Sequence, residues 1–292
     1  MDRLVEIAVE PRRAADRSAL NAALEALTAS DPSLFVFADP ESGQTIIAGP
    51  SEEHVERAIE TLRRACEINV GAPLVACRET LGQAALIEHT YMRALGPKGD
   101  FAQVVLQFDP LEPGAGYQFE SRVVAGSPLK EYLPGVAKGL EAARQIGLLA
   151  GFPVIDFKAT LVDGAWHDVD SSVRAFEIAT RAAFRELRTK AAPILLEPIM
   201  WVEVLTPDDF MGDVIGDLNS RRGQIQGSET RGASQLVTAM VPLSNLFGYP
   251  SQLKLFTRGA GRCEMRYDHY EAVPPPFDPP DDTFPPAVGM RA

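Results

Sequence analysis

The order of secondary-structure signals at the two ends of the chain restricts its fold more than any other feature of the sequence. In residues 1–76, apolar residues first alternate as in a strand and then recur at helical spacing. Two further strand patterns, a second helical pattern and a last short strand follow. The predicted strands are 4–9, 34–37, 45–48 and 67–70, and the predicted helices are 16–28 and 51–64. The resulting βαββαβ order predicts a ferredoxin-like sandwich.

The same order returns in residues 198–273, although the two blocks share no evident sequence identity. The predicted strands are 199–205, 222–230, 234–242 and 262–270, and the predicted helices are 207–219 and a short one near Ser244. We therefore expect a second ferredoxin-like domain, as a repeated architecture and not as a sequence repeat.

The middle block, residues 77–197, is richer in glycine-containing loops. Its predicted strands are 102–110, 117–124 and 154–162, and its predicted helices are 129–146 and 171–190. This pattern favours one layer of helices on a mixed sheet, so the chain as a whole is predicted to be α+β and multidomain. Residues 274–292 contain seven prolines and three aspartates, which predicts an extended or disordered tail.

The charge balance is acidic overall but basic in one predicted helix. A net charge of −12 argues against a protein that is coated in nucleic acid. Residues 172–190 nevertheless carry five cations and two acids, a local charge of +3. The candidate phosphate-facing cations in this helix are Arg181, Arg185 and Arg188. The alternative is an ordinary solvated helix face with pairs four residues apart.

No known catalytic or metal-binding motif stands out. The sequence has no G-x-x-x-x-G-K-[S/T] loop for phosphates, and its nearest look-alike, residues 96–100, has the wrong spacing. The four histidines and three cysteines do not fall at zinc-ligand spacing. We therefore expect this chain to be no enzyme, with no catalytic residue, no metal and no cofactor of its own. Three scattered cysteines and no predicted signal peptide or membrane helix favour the cytoplasm.

One polar cluster allows two interpretations. His167, Asp168 and Asp170 lie between a predicted strand and a predicted helix, where they could form a metal or acid–base site. The alternative is that Asp170 or Ser171 caps the following helix, with His167 exposed on the turn. The capping interpretation needs no partner outside the chain, and we favour it.

Several motifs resemble elongation factor G, in the same order along the chain. The stretch Trp166-His167-Asp168-Val169-Asp170-Ser171-Ser172 is similar to the tip loop and helix of domain IV of that family. The segments that resemble domain V are 195–200, 212–218, 221–223, 241–243 and 247–249. Those that resemble domain III and its exit are 31–33, 42–49 and 78–80. The resemblance covers nearly all of residues 4–273.

The resemblance implies domains at 1–76 (III-like), 77–197 (IV-like, similar to domain 2 of ribosomal protein S5) and 198–273 (V-like), followed by the tail. It implies a tip loop, Gly164 to Asp170, that contacts RNA through Gly164, His167, Asp168 and Asp170. It also implies a second tip loop with Gly96, Lys98 and Gly99, and basic residues Arg221 and Arg222 near ribosomal RNA.

The partners implied by the resemblance are the ribosome, with its 16S and 23S rRNA and proteins, and the tRNA–mRNA complex. A GTPase domain preceding this chain would bind GTP and Mg²⁺. The expected role is tRNA–mRNA translocation or ribosome recycling. The sequence departs from the family in the second tip loop, in residues 50–55 and in the tail, which suggests a divergent paralog.

Two alternatives to this role stay open. The departures favour a scaffold or regulatory paralog that binds ribosomes without hydrolysing GTP. A ribosomal-protection factor is disfavoured, because such proteins normally depart from the tip motif that is present here.

Overall fold

The computed structural model describes residues 3–39, 43–95, 98–124 and 127–274. They form two compact units: residues 3–76 with 197–271, and residues 77–196 with 272–274. Both units combine helices and sheets, so the predicted α+β, multidomain fold is confirmed. Within the described residues, no helix is long and apolar enough to cross a membrane. The Pro/Asp-rich segment beyond Pro274 and the predicted site residue Gly96 lie outside the described residues.

The elements of the first unit's amino-terminal part are β1 (Val5–Pro11), α1 (Arg17–Ser30), β2 (Phe35–Ala38), β3 (Thr45–Gly49), α2 (Glu52–Ala65), β4 (Ile68–Val70) and β5 (Leu74–Val75). The second unit has β6 (Arg78–Leu81), β7 (Ala85–Leu95), β8 (Lys98–Pro110), β9 (Tyr117–Ser121), α3 (Leu133–Ile146), β10 (Phe157–Ala165), α4 (Val173–Arg185) and α5 (Leu187–Lys190). The remaining elements are β11 (Pro193–Pro207), α6 (Met211–Ser220), β12 (Gln224–Arg231), β13 (Ser234–Pro242), α7 (Tyr249–Phe256) and β14 (Arg262–Ala272).

Both predicted ferredoxin-like arrangements are present in the first unit. The strand orders are β2-β3-β1-β4 and β12-β13-β11-β14, and every pairing in them whose register is described is antiparallel. The helices bury apolar residues at helical spacing, such as Leu20, Leu24 and Leu27 of α1. α2 begins where the Ser51 hydroxyl accepts the His54 N–H at 3.3 Å. Local periodicity and capping therefore account for these two helices.

The second unit has a mixed sheet of order β7-β8-β10-β9, in which only the pairing of β10 with β9 is parallel. α3 and α4 pack on it around Phe108, Phe157 and Phe184. The mixed sheet with a helical layer is as predicted. β7 was not predicted, the predicted strand at 154–162 begins later, at Phe157, and the predicted helix at 171–190 is divided into α4 and α5.

Close contact between α3 and α4 fixes the position of α4. A Cβ atom at Gly135 would overlap the carbonyl oxygen of Val173, and one at Gly139 would lie 2.7 Å from the carbonyl oxygen of Glu177. Only glycine allows the two backbones to approach this closely. Because Val173 begins α4, this contact also holds the end of the loop that precedes it.

A buried carboxylate closes the opposite end of α3. Glu79 is fully buried, and its two oxygens accept N–H groups of Leu148, Leu149, Ala150 and Phe152 at 2.5–3.2 Å. Four hydrogen bonds offset much of the cost of removing a carboxylate from water. The loop after α3 is therefore tied to β6 at the base of the unit.

Candidate nucleic-acid interface

The predicted tip loop joins β10 to α4, and its cap is not where the sequence placed it. Ser172, not Asp170 or Ser171, caps α4, because its hydroxyl accepts the Ala175 N–H at 3.1 Å. The prediction of a cap at Asp170 or Ser171 is therefore wrong. Those two side chains are free to make contacts outside the helix.

Asp170 and Ser171 connect the tip loop to the start of β8, which belongs to the second tip loop. Asp170 Oδ1 accepts the Gly99 N–H at 3.0 Å, and the Asp170 carbonyl accepts the Phe101 N–H at 2.9 Å. The Ser171 hydroxyl donates to the Phe101 carbonyl at 2.7 Å. Three hydrogen bonds thus join residues about seventy positions apart in sequence and tie the tip loop to residues 99–101.

His167 projects from this connected pair of loops. Its side chain is 59% exposed. Its backbone is held by two hydrogen bonds to Ser171. The His167 N–H donates to Ser171 Oγ at 2.9 Å, and the Ser171 N–H donates to the His167 carbonyl at 3.0 Å. The Val169 N–H donates to His167 Nδ1 at 3.4 Å, and Asp170 Oδ2 lies 3.3 Å from the same nitrogen. Asp168 and Val169 are exposed beside it. The loop therefore offers an imidazole to a partner from a fixed backbone.

The remaining tip residues are placed differently from the prediction. Gly164 belongs to β10, not to the exposed loop, and a Cβ there would lie 2.5 Å from the Gln103 carbonyl oxygen. Its role is to allow β10 to approach β8. Lys98 is the first residue of β8. Within the described ranges, no group of three or more His, Cys, Asp or Glu is arranged to hold a metal ion.

α4 and α5 carry a row of arginines. Among the described residues, four arginines of these helices make no ion pair with a carboxylate: Arg174, Arg181, Arg185 and Arg188. The acids of the same helices are paired, Glu177 with Lys138 and Glu186 with Lys190, each at 2.9 Å. Hydrogen bonds from Lys190 and His89 hold the pKa of Glu186 below its ordinary value, although burial opposes them. The acids of these helices are thus already paired, and the arginines stay available for an anion.

Arg181, Arg185 and Arg188 share a helical face because they are four and three positions apart. Arg181 and Arg185 also border a shallow cleft whose other walls are Ala143, Ile146, Gly147 and Phe184. The predicted basic surface is consistent with this placement, because guanidinium groups with no carboxylate partner are suited to bind phosphate oxygens.

The two arginines of the closing domain are used within the protein. The side chain of Arg221 is only 14% exposed and pairs with Asp217 at 2.8 Å. Its guanidinium group also donates to the Asn245 carbonyl at 2.6 Å and to the Gln252 side chain, and it lies over the Tyr249 ring. Its guanidinium group is thus engaged by groups of the protein itself, and its place near ribosomal RNA stays a prediction. Arg222 is half exposed and forms a two-point ion pair with the buried Glu197. These contacts stabilise the turn after α6.

Three models of known protein families together match nearly all of the described residues. Residues 2–72 match the model "Elongation Factor G, domain III", residues 73–192 match "Elongation factor G, domain IV", and residues 194–278 match "Elongation factor G C-terminus". All three models belong to one factor and occur in its domain order.

Two relatives agree with these matches. The chain is 56% identical over 273 residues to "Elongation factor G" of Hyphomonas neptunium, covering 93% of this chain and 39% of that protein. It resembles a crystal structure of a Thermus thermophilus protein with a TM-score of 0.75 and 38% identity, over 94% of this chain and 41% of the other. The chain thus spans about two fifths of the length of the relatives that it matches.

Proposed function

The chain belongs to the elongation factor G family, whose domains III, IV and carboxy-terminal domain it carries, and from this we propose that it is the ribosome-binding portion of a translational GTPase. In this proposal the longer protein uses GTP and Mg²⁺, bound by a preceding domain, to drive tRNA–mRNA translocation or ribosome recycling in the cytoplasm. Its partners are the ribosomal RNAs and proteins and the tRNA–mRNA complex.

The observation that carries the proposal is the exposed His167 on two connected loops, in the same unit as the arginine row of α4 and α5. An imidazole offers hydrogen bonds to RNA and can stack on a base. Arginines without carboxylate partners contribute sequence-independent attraction to phosphates. A local basic surface of this kind can act in a chain whose net charge is −12.

The second unit is built to hold this tip in place. The glycine contacts between α3 and α4 and the hydrogen bonds from Asp170 to Gly99 hold the tip, and the Glu79 hydrogen bonds hold the loop at the other end of α3. A tip that occupies space beside RNA must resist displacement if it is to transmit force. We therefore propose that this part acts by binding and steric contact, and that bond-making chemistry takes place elsewhere in the longer protein.

Cosedimentation of the full-length protein with ribosomes tests this function. We expect binding that is strengthened by a non-hydrolysable GTP analogue, because the nucleotide state of a preceding domain would be relayed through the III-like domain. Equal binding with and without the analogue would reject the GTP-driven role and favour the scaffold alternative. No binding in either condition would reject both.

A further inference from the structure

The shallow cleft between α3 and α4 joins positive charge to exposed apolar surface, and Arg181 and Arg185 border it. We propose that residues 281–284 of the same chain, Asp-Asp-Thr-Phe, bind this cleft and compete there with RNA. The binding is a contact within the chain and goes beyond the proposed function, whereas the competition rests on that function.

The cleft offers two guanidinium groups beside an apolar wall. Arg185 is exposed, Arg181 is partly buried, and neither pairs with a carboxylate within the described residues. Ile146 forms part of the wall and is 53% exposed. The nearby Glu141 is already held by the Arg144 guanidinium at 2.5–2.7 Å. The surface therefore suits a segment that brings its own carboxylates and an apolar group to cover Ile146.

Residues 281–284 carry these groups. Asp281 and Asp282 supply two carboxylates, and Phe284 supplies a ring that can pack on isoleucine or on a guanidinium plane. Two prolines stand on each side, at 279–280 and 285–286, and proline lowers the entropy that a segment loses when it is ordered. The model for the carboxy-terminal domain matches only as far as residue 278, so this tetrapeptide lies outside the segment matched to the family.

The described chain ends close to the cleft. The Val273 N–H donates to the Leu195 carbonyl at 3.0 Å, and Leu195 is paired with Glu79 in the sheet. A Cβ atom at Gly147, which borders the cleft, would lie 2.8 Å from Glu79 Oε1. Two strand spacings and one glutamate side chain thus separate Val273 from Gly147, a distance of roughly 15 Å.

The length of chain beyond Pro274 selects which acids can reach the cleft. At about 3.6 Å per residue, Asp278 extends at most about 14 Å from Pro274, whereas Asp281 extends about 25 Å. Asp281 and the residues after it can therefore reach the arginines, and Asp278 falls short. A segment tethered so closely has an effective concentration in the millimolar range, so a weak contact is enough to occupy the cleft.

Photochemical cross-linking in the full-length protein tests the contact without ribosomes. Phe284 is replaced by p-benzoylphenylalanine, and the adduct within a single chain is located by mass spectrometry. We expect attachment to residues 143–147 or 181–185. Attachment elsewhere, or none, overturns the proposal.

Charge reversal tests the basis of the contact. Arg181→Glu combined with Arg185→Glu should lower the yield of the adduct at least about fivefold, because two exposed ion pairs are lost. Adding Asp281→Lys and Asp282→Lys should restore the yield, which shows that the arginine variant still folds. Arg174→Glu is the matched control, since Arg174 is exposed at the amino end of the same helix, and should leave the yield unchanged. A yield that no reversal alters, or that the lysines do not restore, overturns the charge pairing.

Ribosome binding tests the competition. Asp281→Asn combined with Asp282→Asn should tighten binding by about threefold, the factor for a site that is blocked roughly two thirds of the time. Asp278→Asn is the control and should change nothing. Unchanged affinity in the double variant rejects the competition. If no variant binds ribosomes, the proposed function and the competition fail together, and the cross-link still decides the contact within the chain.

Discussion

The tip loop and the turn after α6 were both expected to contact RNA, and they use their polar residues in opposite ways. In the tip loop, Asp170 and Ser171 make the internal hydrogen bonds, and His167 is left exposed. In the turn, Arg221 and Arg222 themselves make the internal contacts. The comparison shows that a charged residue is available to a partner only where other groups satisfy the local structure.

The largest expected effect concerns the helix packing beneath the tip. Gly135→Ala places a methyl group against the Val173 carbonyl, and we expect the free energy of unfolding to fall by about 3 kcal/mol because neither backbone can move away easily. The matched control is in α6, the helix that precedes the turn at Arg221. A methyl group added at Gly216 would meet no atom outside its own helix within 4 Å, so Gly216→Ala should raise the free energy of unfolding by about 0.5–1 kcal/mol. Urea denaturation measures both.

A loss for Gly216→Ala as large as that for Gly135→Ala would show that the difference in backbone contact does not decide these energies. It would also remove the physical reason for regarding α3 and α4 as a rigid support for the tip.

The second effect concerns the turn after α6. Arg221→Ala leaves Asp217 and the Asn245 carbonyl without their guanidinium partner, and we expect a loss of about 2 kcal/mol in the free energy of unfolding. Arg188→Ala is the control, since Arg188 is exposed, and should change stability by less than about 0.5 kcal/mol. Thermal denaturation distinguishes the two. Similar small changes for both would show that the internal contacts of Arg221 do not stabilise the turn.

The sequence predicts well what depends on neighbours along the chain. Both βαββαβ orders follow from local periodicity, and Ser51 is a cap whose partner is three residues away. β7 was not predicted because two of its outward-facing side chains, Leu86 and Met92, are apolar and exposed. Its sequence therefore lacks the alternation of polar and apolar residues that indicates a strand. An edge strand can carry such residues without a matching pattern.

The functional residues were harder to place because their partners are distant in sequence. The Asp170–Gly99 bond spans 71 positions and the Arg221–Asn245 bond spans 24. A local rule assigned Asp170 to a helix cap, and that assignment fails because its side chain accepts the Gly99 N–H. The resemblance that suggested Arg221 as an RNA contact carried no sign of its bonds to Asn245 and Gln252. The exposure of His167, by contrast, follows from its place on a turn, and the sequence predicted it.

The third effect concerns the bonds that join the two tip loops. Asp170→Ala removes the acceptor for the Gly99 N–H, and we expect a loss of about 1 kcal/mol and faster hydrogen exchange of the Gly99 amide. Asp170→Asn keeps an oxygen acceptor and should lose less than half as much. Asp168→Ala, which removes the same charge from an exposed neighbour, should leave both measurements unchanged. Equal exchange rates in all three variants would show that Asp170 does not join the loops.

The smallest expected effect on stability concerns the arginine row, where the result should appear in binding and not in folding. Arg185→Ala and Arg188→Ala remove exposed cations that make no ion pair within the described part of the chain, so each should change stability by less than about 0.5 kcal/mol. If each binds one phosphate, the slope of log affinity for ribosomes against log salt should fall by roughly 0.7–0.9 per substitution, because one fewer counterion is released. Arg57→Ala is the control, since Arg57 is exposed but paired with Glu53 in α2, and should leave the slope unchanged. A uniform slope across all three variants would mean that Arg185 and Arg188 bind no phosphate on the ribosome.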